Sequence, residues 1–493
     1  SLPNTRVLAL TATADARTAD DICGQLAPIT QQRRSMNRPE LSLHVQAARS
    51  MAHKLELLDG FLSTEPGCCL LYCATRENTE IVGEYLQQRG HKAAAYHAGL
   101  PPDTKRSLQE RFVKGHFHAI AATNALGMGI DKADLRAVVH VDIPGSITAY
   151  YQEVGRAGRD GEPARGLLLY DPEDRSIQDY FIHSAQPKEQ DFTDVLNALQ
   201  EPLGLTHIKR ATGLHPTRVT VVVAELVEQG FVRKERQRGR QVYIRTRQTE
   251  PLVLDRYRNQ NQVRTQGLDA MLAYATGADC LMHTLRQHLG DEASAPCGQC
   301  GRCTGAVLEL AANEGAEAWL ASRPVAVRGF RKMLAEGQAL YDSNRRSGLF
   351  LEFMRQRTRG EPAAHTLDSL RALVAAHPHA TVVPLPSSTW AGREATLRAL
   401  QLPVWDGLAW LRPPEARQGT LLNNDQRKAN VEGLLVTNRP PPSGDVLLLD
   451  DYTGSGATFR EAARALQASG HNGTRTPMAI ARVRWRLGRP GIV

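Results

Sequence analysis

Four cysteines, Cys280, Cys297, Cys300 and Cys303, form C-x16-C-x2-C-x2-C. Thiolates at this spacing can complete a tetrahedral Zn2+ shell, and CGQCGRC supplies glycines for the tight turns between them. Four protein ligands close the shell, so the metal's role is expected to be structural; four buried or redox-active thiols are the other reading. A second chemistry lies at 445–466, DVLLLDDYTGSGATFREAARAL, an apolar strand, paired aspartates, a Gly/Thr/Ser loop and a helix. Amides and hydroxyls at such a helix start suit a phosphate, while Asp450 and Asp451 beside them suit ribose hydroxyls or Mg2+. The third is YYQEVGRAGRDG, residues 150–161, where Arg156 and Arg159 each stand next to a glycine. Guanidinium forks match phosphate oxygens, and flanking glycines let a second backbone approach. Yet the chain contains no G-x-x-x-x-G-K-[ST] loop to hold the phosphates of ATP. DEAS at 291–294 follows Gly290 in a polar loop instead of ending an apolar strand, so it is not read as a Mg2+-binding acidic box.

The elements that must position these groups follow from periodicity. From about residue 52, short apolar strands alternate with amphipathic helices: CCLLYCA, RENTEIVGEYLQQRG, KAAAYHAG, PDTKRSLQERFVKG, HAIAATNALGMGI and AVVHVDIP. This is the βαβ rhythm of a parallel sheet, with binding residues at the carboxyl ends of strands. Thr75, Arg76, His97, Thr123, Gly127, Gly129 and Asp131 fall at such ends. RVLALTATA, near the start, reads as another apolar strand, suited to the middle of an α/β domain; a segment preceding it is therefore expected. Residues 205–247 read as helix, Gly-Leu-His-Pro turn, a second helix from Thr217 to Gln229, and two strands around Arg238, Gly239 and Arg240. That order fits a winged helix with Arg233, Lys234, Arg236, Arg238 and Arg240 on its wing. Such a wing can hold a duplex by its phosphates, or be the solvated edge of a protein-packing module. Residues 307–374 form a basic connector without an assignment.

The 493 residues imply several domains, and 60 Lys plus Arg against 52 Asp plus Glu give a formal charge of +8 that makes a polyanionic partner reasonable. No apolar run is long enough to span a bilayer and no signal-peptide core opens the chain, so a soluble, intracellular protein is expected. Cys23, Cys68, Cys69 and Cys73 sit in apolar contexts and are read as core residues.

In order, ALTATA (9–14), LLYCATR (70–76), YHAGL (96–100), ATNALGMGIDK (122–132), VVHVDIP (138–144) and YYQEVGRAGRDG resemble motifs of RecQ-family DNA helicases, over about residues 1–185. The resemblance implies that Gln152, Arg156 and Arg159 face the γ-phosphate of ATP held mainly by a first lobe, with Mg2+. It implies coupling roles for Thr11, Thr13, Gly129 and Asp131, and a single-strand path along Thr75, Arg76 and Thr123. The cysteine spacing and the helical stretch before it resemble the RecQ zinc-binding module, although the winged helix precedes it here and Leu281 replaces the usual arginine. DDYTGSGAT resembles the 5-phosphoribosyl-1-pyrophosphate (PRPP) loop of type I phosphoribosyltransferases. VVPLPSS (382–388) and QGTLLNNDQRKANVEGLL (418–435) add similarity to the ComF-like branch. By that resemblance Asp450 and Asp451 hold the ribose, and Thr453, Gly454, Ser455, Gly456 and Thr458 the 5′-phosphate.

The expected architecture is therefore multidomain α/β: the end of a first RecA-like lobe (1–38), a second RecA-like parallel-sheet motor lobe (39–186), a winged helix (187–248), a helical zinc-binding module (249–306), the connector, and a phosphoribosyltransferase-like α/β domain (375–493). The combination resembles the RqlH type of bacterial RecQ-like helicase. It implies an ATP-dependent, 3′ to 5′ unwinding enzyme of DNA repair and recombination, lacking its phosphate-loop segment here and so inactive toward ATP alone. Two other readings stand beside it: a DNA-junction-binding protein without motor activity that senses a phosphoribosyl ligand, and a phosphoribosyltransferase anchored to DNA.

Overall fold

The computed structural model describes the chain except residues 1–7, 12–15, 27–29, 127–130, 186, 238, 292–294, 306–307, 309, 311–313, 324, 331, 344–347, 388, 417, 419–420, 422 and 484–493. It divides into two compact units. One comprises 1–182 with 259–317, the other 183–258 with 318–493.

The first unit is built on a six-stranded sheet of β1 (Leu41–Ala47), β2 (Cys68–Tyr72), β3 (Ala93–Tyr96), β4 (Ala119–Ala122), β5 (Leu135–His140) and β6 (Ala164–Tyr170). The order is β1-β6-β5-β2-β4-β3 and every pairing is parallel. The central strands are nearly continuous apolar runs because helices cover them, as parallel sheets require. Succession reverses between β2 and β5; Thr75 and Arg76 follow β2, His97 follows β3, and Thr123 and Asp131 follow β4. Of RVLALTATA only residues 8–11 are described; they are irregular instead of a strand, with Leu8 and Leu10 80% and 84% exposed and no sheet partner to give them a ladder.

The helices Asp255–Thr276 and Leu281–His288 and the short turn Gly301–Thr304 follow in the zinc-binding segment. Met271, Tyr274, Leu281, Met282, Leu285, Leu289 and Cys300 join Leu43, Tyr150 and Val154 of the lobe in one apolar core. Polar staples fix the same junction. Ser42 Oγ donates to Gln299 O (2.9 Å), and Asp291 accepts from Met36 N (2.6 Å), Ser35 Oγ (3.1 Å) and Arg286 Nε (2.9 Å). Asp291, the first residue of the DEAS segment, is thus a structural acceptor; the other three lie outside the described residues.

In the second unit, helices Glu189–Ala198, Leu205–Thr212 and Pro216–Glu228 precede an antiparallel hairpin of β7 (Val232–Gln237) and β8 (Arg240–Arg245). They close on a core that includes Phe192, Ile208, Val222, Leu226 and Tyr243. Gly213 (φ 69°) ends the middle helix in the left-handed region, and Gly239 (φ 78°) does the same for the hairpin turn.

The segment read as a connector is a correction. It supplies β9 (Val325–Val327) and β10 (Gly337–Asp342), which enter the C-terminal sheet with β11 (Thr381–Pro384), β14 (Val446–Thr453) and β15 (Arg475–Arg482). The order is β11-β14-β15-β10-β9, parallel except for β9, and β12 (Leu408–Trp410) pairs with β13 (Leu435–Thr437) as a separate ribbon. β10 belongs in that sheet because Ala339 and Tyr341 are buried there, against Ala479 and Ala481 of β15.

Candidate functional sites

The helix Ile147–Val154 starts at Ser146, whose hydroxyl accepts from Ala149 N, and stops at Gly155. Arg156 and Arg159 follow in a turn shaped by Gly158 (φ 66°), where an added Cβ would stand 3.0 Å from Glu162 O. Arg38 holds this turn from behind, donating from Nη1 to Gly155 O and from Nη2 to Ala157 O, both at 2.9 Å. Arg136 Nη2 fixes its far end through both oxygens of Asp160 (2.6 and 2.5 Å). Neither arginine was singled out in the sequence, because each lies outside the glycine-flanked motif.

Held this way, Arg156 and Arg159 project toward the end of β2. Burial pushes the Tyr72 hydroxyl up, and both guanidiniums work against that shift. Arg159 Nη1 lies 2.8 Å from Asp131 Oδ1, an exposed pair worth about 0–1 kcal/mol that a stronger anion can displace. Gln152 is exposed on the preceding helix, Thr11 is exposed far along the chain, and Thr13 and Gly129 lie outside the described residues.

The β2 end is organised by a buried charge cluster absent from the sequence reading. Lys54 is 1% exposed and places Nζ 2.7 Å from Asp174 and 3.4 Å from Asp142. Asp142 also accepts from Ala74 N (2.8 Å) and Asn78 Nδ2 (2.9 Å), so it fixes the loop that carries Thr75 and Arg76. Burial disfavours the Lys54 ammonium, but Asp142 and Asp174 outweigh it and hold the lysine above its usual range. One ammonium cannot compensate two carboxylates, and burial pushes Asp174 up to about 7. The available signal was Lys54 itself, a lone cation among the apolar positions of MAHKLELLDGFL.

Thr75 caps the helix Arg76–Gln88, its Oγ1 accepting from Asn78 N (3.0 Å). Arg76 is exposed above Gly99, next to His97. Gly99 N donates to His97 Nδ1 (3.2 Å), which leaves the proton on Nε2 facing Glu80 Oε1 at 3.1 Å. Thr123 sits at the end of β4, with its amide on Tyr96 O.

In the cysteine cluster all four Sγ atoms lie within 4.8 Å of one another. A Zn–S bond of roughly 2.3 Å places the sulfurs of a tetrahedral shell roughly 3.8 Å apart, and Cys280 and Cys300 stand at 3.9 Å. Cys297 N donates to Cys280 Sγ and Cys300 N to Cys297 Sγ (3.2 and 3.3 Å), bonds that favour thiolates. Burial opposes ionisation of Cys300, yet the amides and thiols around it bring it down to about 7. The donor set therefore fits Zn2+, with Cys280, Cys297, Cys300 and Cys303 as its ligands.

At the carboxyl end of β14 the paired aspartates divide. Asp451 is 1% exposed and lies 2.9 Å from Arg357 Nη1, whose guanidinium stacks 4.6 Å over Tyr452. Asp450 keeps part of its surface open, and desolvation and the Asp451 charge push it well up. Thr453 is buried, and Gly454, Ser455 and Gly456 (φ 70°) lead into the helix Ala457–Ala468, which starts without a side-chain cap. Ala457 N, its first amide, donates to Ser455 Oγ (3.3 Å), and Thr458 is its second residue. Arg427 approaches Tyr452 from a distant helix, where burial disfavours its charge and Tyr452 supports it. Arg357 and Arg427 escaped sequence reasoning because nothing local ties them to the loop.

On the hairpin, Arg233, Lys234, Arg236 and Arg240 are exposed, and Arg233 pairs with Glu235 (3.3 Å); Arg238 is outside the described residues.

Comparison with known proteins matches residues 53–161 to the helicase conserved C-terminal domain and residues 235–304 to RecQ zinc-binding. The probable ATP-dependent DNA helicase RecS of Bacillus subtilis is 35% identical over 198 residues, 40% of this chain and 40% of that protein. The ATP-dependent DNA helicase RecQ of the same organism is 34% identical over 206 residues, 41% of this chain and 34% of that protein. The RecQ helicase of Synechocystis is 30% identical over 318 residues, 60% of this chain and 62% of its own length. The chain thus spans less than half the length of the two Bacillus relatives. Over these stretches the chain is therefore similar to the helicase C-terminal domain and to the zinc-binding segment of RecQ-type DNA helicases. Among the described residues no helix is long and apolar enough to cross a membrane.

Proposed function

We propose that this chain provides the second motor lobe, the zinc module and the accessory domains of an ATP-dependent RecQ-type DNA helicase, which moves 3′ to 5′ and serves DNA repair and recombination in the bacterial cytoplasm and nucleoid. The observation that carries the reading is the turn holding Arg156 and Arg159, fixed by Arg38 and Arg136 at the carboxyl end of a parallel sheet. Catalysis of phosphoryl transfer is mostly positioning and neutralisation of charge, and two guanidiniums on a rigid turn supply both. ATP and Mg2+ are held mainly by a phosphate-loop lobe, and Asp131 releases Arg159 when the γ-phosphate arrives. Thr75, Arg76 and Thr123 line the single-strand path, and the winged helix meets duplex at the junction. The relatives do not favour the reading as a binding protein without a motor. The test is DNA-stimulated ATP hydrolysis by this chain and by a chain extended upstream through a phosphate-loop lobe. Activity in the extended chain alone is expected; silence in both removes the motor role.

The C-terminal domain, of the ComF-like kind, binds a phosphoribosyl ligand such as PRPP with Mg2+. Asp450 is the carboxylate open to ribose or metal, Asp451 is its structural partner, and Thr453 to Thr458 form the phosphate loop. The supporting feature is a glycine-rich loop opening a helix whose N-cap is Gly456, next to the partly exposed carboxyl of Asp450. PRPP with Mg2+ is expected to raise the melting temperature of the chain, and no shift ends this reading.

A further inference from the structure

The helix–turn–helix of the second unit is covered by the C-terminal domain. Asn423 is 5% exposed, and its Oδ1 accepts from Gln426 N (2.9 Å), which fixes the amide's orientation. Nδ2 must then face the other way, where it donates to Lys209 O (2.8 Å) and Leu214 O (2.9 Å). These carbonyls flank Gly213, one at the end of the helix Leu205–Thr212 and one in the turn before Pro216–Glu228. Gln426 Nε2 adds a bond to Arg210 O (3.4 Å), and Arg210 lies 3.8 Å from Glu432. Lys209 O also accepts from Gly213 N (3.1 Å), and the other domain adds a second donor to this helix end, where carbonyls otherwise turn to water.

The helix that would enter a major groove is unsuited to it. The exposed positions of Pro216–Glu228 are Thr217, Thr220, Ala224 and Glu228, which carry no positive charge. Its one arginine, Arg218, is 7% exposed and paired with Asp191 at 3.3 Å. The hairpin has the opposite character, with Lys234, Arg236 and Arg240 exposed. A duplex phosphate ladder attracts the second surface and gains nothing from the first.

We infer that the helix–turn–helix is an internal docking surface for the C-terminal domain, gripped by Asn423 and Gln426, and that duplex contact by this module is confined to the hairpin. The inference rests on the duplex role given to the hairpin above.

The test uses the full chain, with duplex affinity measured across a salt series. Arg236→Gln with Arg240→Gln is expected to weaken binding at least tenfold and lower the salt slope by about 2. Thr217→Glu with Thr220→Glu is expected to stay within twofold. A larger loss in the helix variant than in the hairpin variant overturns the inference and leaves duplex binding intact as a reading. Loss in neither variant overturns both. Docking has its own measurement: Asn423→Ala is expected to speed amide hydrogen exchange over 205–214 at least tenfold, and unchanged protection there overturns the docking surface.

Discussion

The two parallel sheets solve a similar problem with opposite charges. At the end of the lobe's sheet the open groups are cations, Arg156 and Arg159, and the buried support is a Lys54–Asp142–Asp174 cluster. At the end of the C-terminal sheet the open group is a carboxyl, Asp450, and the buried support is the Arg357–Asp451 pair. In each, a buried ion pair fixes the shape and a neighbouring ionisable group is left for a ligand. A charged doublet in a sequence is therefore not two equal site residues. Which member is open depends on a partner far away in the chain.

The largest effect expected from this contrast is on turnover. In a chain that hydrolyses ATP, Arg156→Ala or Arg159→Ala should lower kcat about 10³-fold or more, with DNA affinity within twofold. A matched loss of DNA affinity would move the arginines from the nucleotide to the nucleic acid. Next come the supports. Lys54→Met leaves two buried carboxylates without their cation and Arg357→Met leaves one, and each should cost about 3–5 kcal/mol in denaturant unfolding. A loss below about 1 kcal/mol in either would show that its carboxylates relax into water and that the pair is not a support.

The C-terminal doublet can be divided more finely. Asp450→Asn should leave the ligand-free chain as stable as before, or more so, and abolish PRPP-induced stabilisation, which is about 2.7 kcal/mol at a hundredfold excess over Kd. Asp451→Asn should destabilise the ligand-free chain instead. The pH dependence has a defined sign. Asp450 is raised by folding, so the folded state retains its proton better; that contribution is complete below the usual carboxyl range and is lost as pH rises through the folded value. Ligand-free stability should fall over that window while PRPP-induced stabilisation grows, because Mg2+ and ribose require the carboxylate. Parallel trends would place the titration elsewhere. The smallest effect belongs to Thr75, where Thr75→Ala should cost about 1 kcal/mol as a lost helix cap and Thr75→Ser almost nothing. Equal stability of both would leave the hydroxyl free for DNA alone.

Much of this was legible in local spacing. The cysteine intervals anticipate the cluster because three ligands fall within seven residues, and only Cys280 must be brought from outside. The βαβ rhythm gave β2 to β5 within a few residues, since strand and helix periods alternate cleanly there. Supports were illegible for the same physical reason in each case. Arg38 acts across 117 residues, Arg357 across 94 and Asn423 across more than 200, and no local pattern encodes such a pairing. β9 and β10 were missed because β9 has three residues and β10 alternates too weakly to be told from a loop.

The shared core of lobe and zinc module also sets a schedule. That unit is made of two stretches of chain separated by residues 183–258. A ribosome adding about 5–20 residues per second needs on the order of ten seconds to proceed from Tyr170 to Cys303. During that interval the all-parallel sheet is complete in strands, yet Leu43, Tyr150 and Val154 still await the helices that bury them. The nascent lobe thus passes through a stage with an uncovered apolar face, and metal capture, which needs the last cysteine, can only follow it.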